Sequence, residues 1–136
     1  RLCPKVVELA RKRRMHVGYL EFNDRVDQFL AGDAQRFFSR EYDSMCSRMQ
    51  RVKLLGFTNY ELPLEIAMSE FGRRTGPAGG RGAGGVQARR RNRHILFLTD
   101  GHPCCGDTTV ARQIRAAEEA GVALHTVYIG RGECPE

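Results

Sequence analysis

Ile95, Leu96, Phe97 and Leu98 form an unbroken apolar run that ends in Thr99-Asp100-Gly101. The run is too short for a helix and rich in strand formers. It predicts a strand covered on both faces, at the centre of a parallel sheet. Its end puts a carboxylate and a turn glycine just past the strand's carboxyl edge, where open α/β sheets bind ligands. A half-buried carboxylate there needs a cation, a metal or backbone donors. Capping of the following turn by Asp100 is the plainer alternative.

The other elements follow from spacing. Leu2, Val6, Leu9 and Ala10 recur with helical period over residues 2–14. Arg11 to Arg14 would then stand at the helix end, where cations suit the macrodipole. Residues 16–22 and 25–30 read as two strands joined by turn chemistry at Asn23-Asp24, a hairpin whose second strand is a short antiparallel edge. Phe38, Tyr42, Met45, Met49 and Val52 mark one side of a helix over 37–52, a stripe assigned to core packing. A helix over 60–71 would bury Leu62, Ile66, Ala67 and Phe71, with Pro63 in its tolerant first turn. Asp107 is placed as N-cap of a helix over 108–120 with Val110, Ile114 and Ala117 inward, stopped by Gly121. A last strand runs over 122–129. This order predicts an α/β fold with a mostly parallel sheet.

A length of 136 residues allows one domain with a real core. No apolar run approaches the roughly 20 residues that cross a bilayer. The net charge of +6 is unevenly placed. Residues 72–94 carry seven arginines and no acid, so the remainder holds 15 basic against 16 acidic residues. Residues 72–92 are dominated by glycine and arginine, have little to bury, and read as a disordered insertion. They resemble RNA-binding Arg–Gly tracts, but no aromatic is interleaved for base stacking. The five cysteines, Cys3, Cys46, Cys104, Cys105 and Cys134, are odd in number and lack CxxC spacing, which favours a reduced, intracellular setting.

Two loops combine hard oxygen donors: Gly56-Phe57-Thr58-Asn59-Tyr60 before a helix, and Leu98-Thr99-Asp100-Gly101 after the apolar strand. A hydroxyl and a carboxylate meeting at a strand edge suit Mg²⁺. With VGYLEFND at 17–24, GFTNYELPLEIA at 56–67, HILFLTDG at 94–101 and VALHTVYIG at 122–130, the chain resembles a von Willebrand factor type A domain over almost its whole length. The resemblance implies a Rossmann-like α/β/α sandwich with one antiparallel edge strand. It also implies a metal-ion-dependent adhesion site, in which Thr58 matches the threonine ligand and Asp100 the aspartate that often acts through water. Mg²⁺, or Mn²⁺ or Ca²⁺, would be the ion in a complete domain.

The family's first motif, Asp-x-Ser-x-Ser, occurs nowhere in the sequence. The expectation is therefore a partial domain over 1–136, without the first strand and the final helices, whose metal site is incomplete and weak. The start at Arg1 inside a helical pattern agrees with a fragment. A degenerate family member without metal is the alternative.

Other chemistry is thinner. His102, Cys104 and Cys105 are too few for a closed zinc site. His16 and His125 read as packed strand residues, and His94 as exposed. Glu21 and Asp24 do not pair with Asp100 as an acid/base couple. Nucleophile-elbow, P-loop and dinucleotide motifs are absent, which argues against an α/β hydrolase. The reading is a non-enzymatic interaction module, an intracellular subunit or adaptor that binds a partner's Asp or Glu through the metal. A nucleic-acid-associated protein using the Arg–Gly segment is the second reading, and steep salt dependence would distinguish it.

Overall fold

The structure, a computed structural model, describes residues 2–52, 56–73 and 92–129. Most of the Gly/Arg-rich segment, residues 74–91, lies outside the described residues, and so does the expectation of its disorder. In chain order the elements are α1 (Leu2–Lys12), β1 (Tyr19–Phe22), β2 (Val26–Phe29), α2 (Tyr42–Met49), α3 (Glu61–Arg73), β3 (Arg93–Thr99), α4 (Ala111–Glu119) and β4 (Val122–Tyr128).

The fold is mixed α/β, with a sheet arrangement that differs from the expected one. β1 and β2 form an antiparallel hairpin, Tyr19 opposite Phe29 and Phe22 opposite Val26. β3 and β4 form a separate parallel pair, Arg93 opposite Val122 and Thr99 opposite Tyr128. Among the described residues no ladder joins the two sheets, so the single mostly parallel sheet is not seen. The apolar run is correspondingly not buried on both faces. Phe97 is 7% exposed while its neighbour Leu96 is 37% exposed. Four consecutive apolar residues here make an alternating strand with one covered side.

Side chains connect the sheets instead. The Phe22 ring stacks on Phe97 at 4.8 Å, and Tyr60 packs edge-on against Phe97 at 4.9 Å. Leu64, Phe97 and Val110 form the buried cluster, with Phe22, Tyr60, Ile95 and Leu124 against it. α3, the residue that precedes α4 and both sheets thus contribute to one core.

The remaining helices are shorter than their periodicity suggests, or turned. α2 starts only at Tyr42 because Ser39 is committed to extended pairing, exchanging two 2.9 Å hydrogen bonds with Val17. α1 packs on α2. It buries Val7 and Ala10 and leaves Leu2 and Leu9 exposed, against the expected stripe. The Arg11 guanidinium lies 5.4 Å from the Tyr42 ring, and Tyr42 donates to the Met15 carbonyl at 2.6 Å. α3 buries Pro63, Leu64 and Ala67, while Leu62 is exposed. α4 buries Gln113 and Ala117, while Ile114 is exposed. Gly121, at φ +65°, ends that helix as expected.

Candidate functional site

The site is built where three loops leave or enter elements at one edge. Asn23-Asp24 follows β1, residues 56–60 precede α3, and Asp100-Gly101 follows β3. Backbone hydrogen bonds tie them together. Asn59 N–H donates to the Asn23 carbonyl at 2.9 Å. Asn59 also makes a parallel bridge with Cys105. Its side-chain Oδ1 accepts from Leu62 N–H at 3.2 Å, the bond an N-cap makes to its third following amide. Gly106, at φ +75°, closes over this residue. A Cβ there would come within 2.9 Å of Asn59 Oδ1.

Thr58 is fixed by its neighbour loop. Its N–H donates to Cys104 Sγ at 3.1 Å, and Cys104 N–H donates back to the Thr58 carbonyl at 2.9 Å. The Asp100 turn is fixed separately. Gly101 N–H donates to Thr99 Oγ1 at 3.3 Å. The Tyr60 hydroxyl donates to the Gly101 carbonyl and lies 3.0 Å from Thr99 Oγ1. The two fixed loops meet: a Cβ built on Gly101 would lie 3.6 Å from Thr58 Oγ1. Thr58, half-buried, therefore stands beside the residue following Asp100, which is exposed. Asp24, also exposed, has Oδ1 3.2 Å from where a Cβ on Gly56 would sit.

The donors at this edge are a hydroxyl and exposed carboxylates, the hard oxygens that Mg²⁺ takes. Their chemistry fits such an ion, and their number is small. Among the described residues no group of three or more His, Cys, Asp or Glu side chains could hold a metal. Thr58 and Asp100 would leave most of an octahedral shell to water. The Cys105 thiol is pushed above its ordinary pKa, first by desolvation and then by the adjacent Cys104, so it stays protonated and is a poor nucleophile.

Two readings need correction. Asp107 is not the N-cap of the following helix. It accepts from Thr109 N–H at 2.9 Å and Thr109 Oγ1 at 2.7 Å, a local turn, and α4 starts four residues later behind Val110. Val110 adopts φ +45°, strained for a β-branched residue, and its burial in the core holds it there. His16 and His125 are exposed rather than packed. Glu21 pairs with Arg48 at 2.9 Å, in agreement with the expectation that it does not couple to Asp100.

Sequence reasoning missed Tyr60 and Cys104 as the residues that hold the two loops. Their bonds span 39 to 46 positions and leave no local signal. Among the described residues no helix is long and apolar enough to cross a membrane. No family model matches the sequence, and no curated protein matches it.

Proposed function

We propose that the chain is a non-enzymatic interaction module of the von Willebrand factor type A kind. A partner's Asp or Glu carboxylate would be recognised at the Thr58–Asp100 edge through a divalent ion. One observation carries the reading: two loops far apart in sequence meet with Thr58 Oγ1 against Gly101, each clamped by its own hydrogen bonds. A site for an ion and a partner needs such clamping, because loops ordered in advance lose less entropy on binding. Bound Mg²⁺ would supply open coordination positions for the incoming carboxylate. The chain's own residues orient it: Tyr60 and Thr99 hold the Asp100 turn, and Cys104 holds Thr58. With so few protein ligands, affinity for Mg²⁺ alone is expected to be weak.

Calorimetric titration of Mg²⁺ tests this. A weak isotherm that disappears in both Thr58→Ala and Asp100→Ala is the expected result. Adding an upstream strand that carries Asp-x-Ser-x-Ser should raise the affinity sharply, and Asp100→Ala should cancel the gain. Tight binding that neither substitution alters would place the metal elsewhere and sink the assignment.

A further inference from the structure

β3 and β4 carry a second cluster at the other end of the sheet. In their register His94 lies opposite Ala123 and Leu96 opposite His125, so the two histidines are diagonal neighbours on one face. His94 Nδ1 and His125 Nε2 are 3.0 Å apart. The rings are stacked, with centroids 5.3 Å apart and 25° between their planes. Both residues are exposed on the face opposite Phe97.

We propose that this pair is a two-histidine site for a divalent transition ion of the Ni²⁺ and Cu²⁺ class. Neutral imidazole is a preferred ligand for such ions. Imidazole nitrogens sit roughly 2.0–2.1 Å from a bound ion of this kind. At that distance, nitrogens 3.0 Å apart subtend about 95°, the cis angle of square-planar or octahedral coordination.

The proton count closes without loss. In the metal-free pair one facing nitrogen donates its N–H and the other accepts. Ion binding needs a lone pair on both. The donor ring therefore moves its proton to its outward nitrogen, and no proton is released from the neutral pair. Water fills the remaining positions. The ion would bridge adjacent strands and hold β3 to β4. His94 precedes Asp100 by six residues and His125 lies opposite Leu96, so the site stands about 13–20 Å along the strand from the Thr58–Asp100 edge. It is independent of the function proposed there.

NiCl₂ is the probe, because Cu²⁺ also oxidises free thiols. An ion that binds only the folded chain raises its melting temperature. We expect Ni²⁺ to raise it, EDTA to reverse the rise, and His94→Ala and His125→Ala each to abolish it. A Cys104→Ser/Cys105→Ser double variant should keep the shift. In ¹H–¹⁵N spectra of the unmodified chain, paramagnetic Ni²⁺ should broaden residues around 94 and 125 first. A shift that survives both histidine variants, or broadening centred elsewhere, overturns the proposal. So does the absence of any shift or broadening.

Discussion

The two sheets are fastened to the rest of the molecule by different physics. β3–β4 is anchored by burial: Phe97 and Val122 are 7% and 4% exposed, and Phe97 packs with Leu64 and Val110. In the hairpin β1–β2 no residue reaches that burial. Its fastening to α2 is ionic. Arg48 bonds Glu21 at 2.9 Å and also pairs with Asp27. Apolar burial is strong, non-directional and not weakened by charge screening. Exposed ion pairs are weak and screened. The hairpin is therefore the half expected to loosen first, and Phe22, which stacks on Phe97 and meets the Tyr60 ring edge-on, ties it to the deeper core.

Phe97→Ala should break this arrangement most severely. It removes the ring shared by Phe22, Tyr60 and the buried cluster. Emptying such a site costs about 3–5 kcal/mol, a large part of the roughly 5–15 kcal/mol that holds a domain together. Urea midpoints measure the loss. Amide exchange should show the hairpin losing protection along with β3, because Phe22 stacks on Phe97. Coincident midpoints for variant and parent would mean that the core lies elsewhere.

Tyr60→Phe sharpens the comparison at the site. The ring still packs on Phe97, and only the bonds to Gly101 and Thr99 are lost. The expected cost is about 0.5–1.5 kcal/mol, with faster exchange confined to residues 99–101. Unchanged exchange in that turn would remove Tyr60 as the clamp of Asp100.

Much of the element order was legible because the signals were local. Asn23 Oδ1 accepts from Arg25 N–H at 2.7 Å, which is the turn chemistry the Asn-Asp pair announced. Pro63 sits in the first turn of α3, and Gly121 stops α4. The direction each helix faces was much less legible. Periodicity marks a stripe, but the partner surface chooses which flank of it is covered. Gln113 is 4% exposed and its amide N–H reaches Glu65 at 3.1 Å, while the apolar Ile114 beside it is exposed. The number of a strand's neighbours is not legible in an apolar run, which reads alike for one neighbour or two. For the site, the two loops were picked out by hard donors and by family resemblance. What clamps them, and the meeting of His94 with His125, depends on registers between residues 31 to 46 positions apart.

Arg48→Ala probes the ionic half directly. Both ion pairs go at once, and Arg48 is 39% exposed, so each is discounted for solvent. A combined loss of about 1 kcal/mol is expected at low salt. In 1 M NaCl the Debye length falls to about 3 Å and the difference should shrink. The cost of Phe97→Ala should not shrink in the same way. Equal salt responses in the two variants would dissolve the distinction between the sheets.

The smallest effect concerns electrostatics within the apolar half. The Asp107 carboxyl is held below its ordinary pKa, first by the Thr109 hydroxyl and then by the Thr109 amide. A carboxyl depressed on folding stabilises the fold above its unfolded value, about 3.9 for aspartate. That contribution disappears as the pH falls through the lower folded value. Asp107→Asn keeps an oxygen that can accept from Thr109 and removes the charge. The variant should therefore be slightly less stable than the parent at pH 7. The two should converge as the pH falls towards about 2 and the parent's carboxyl takes up its proton. Urea midpoints at the two pH values measure the gap. A gap of equal size at both would mean that geometry, not charge, sets the value of this turn. A gap wider at low pH would reverse the sign of the shift and show that the Thr109 bonds do not stabilise the ionised form.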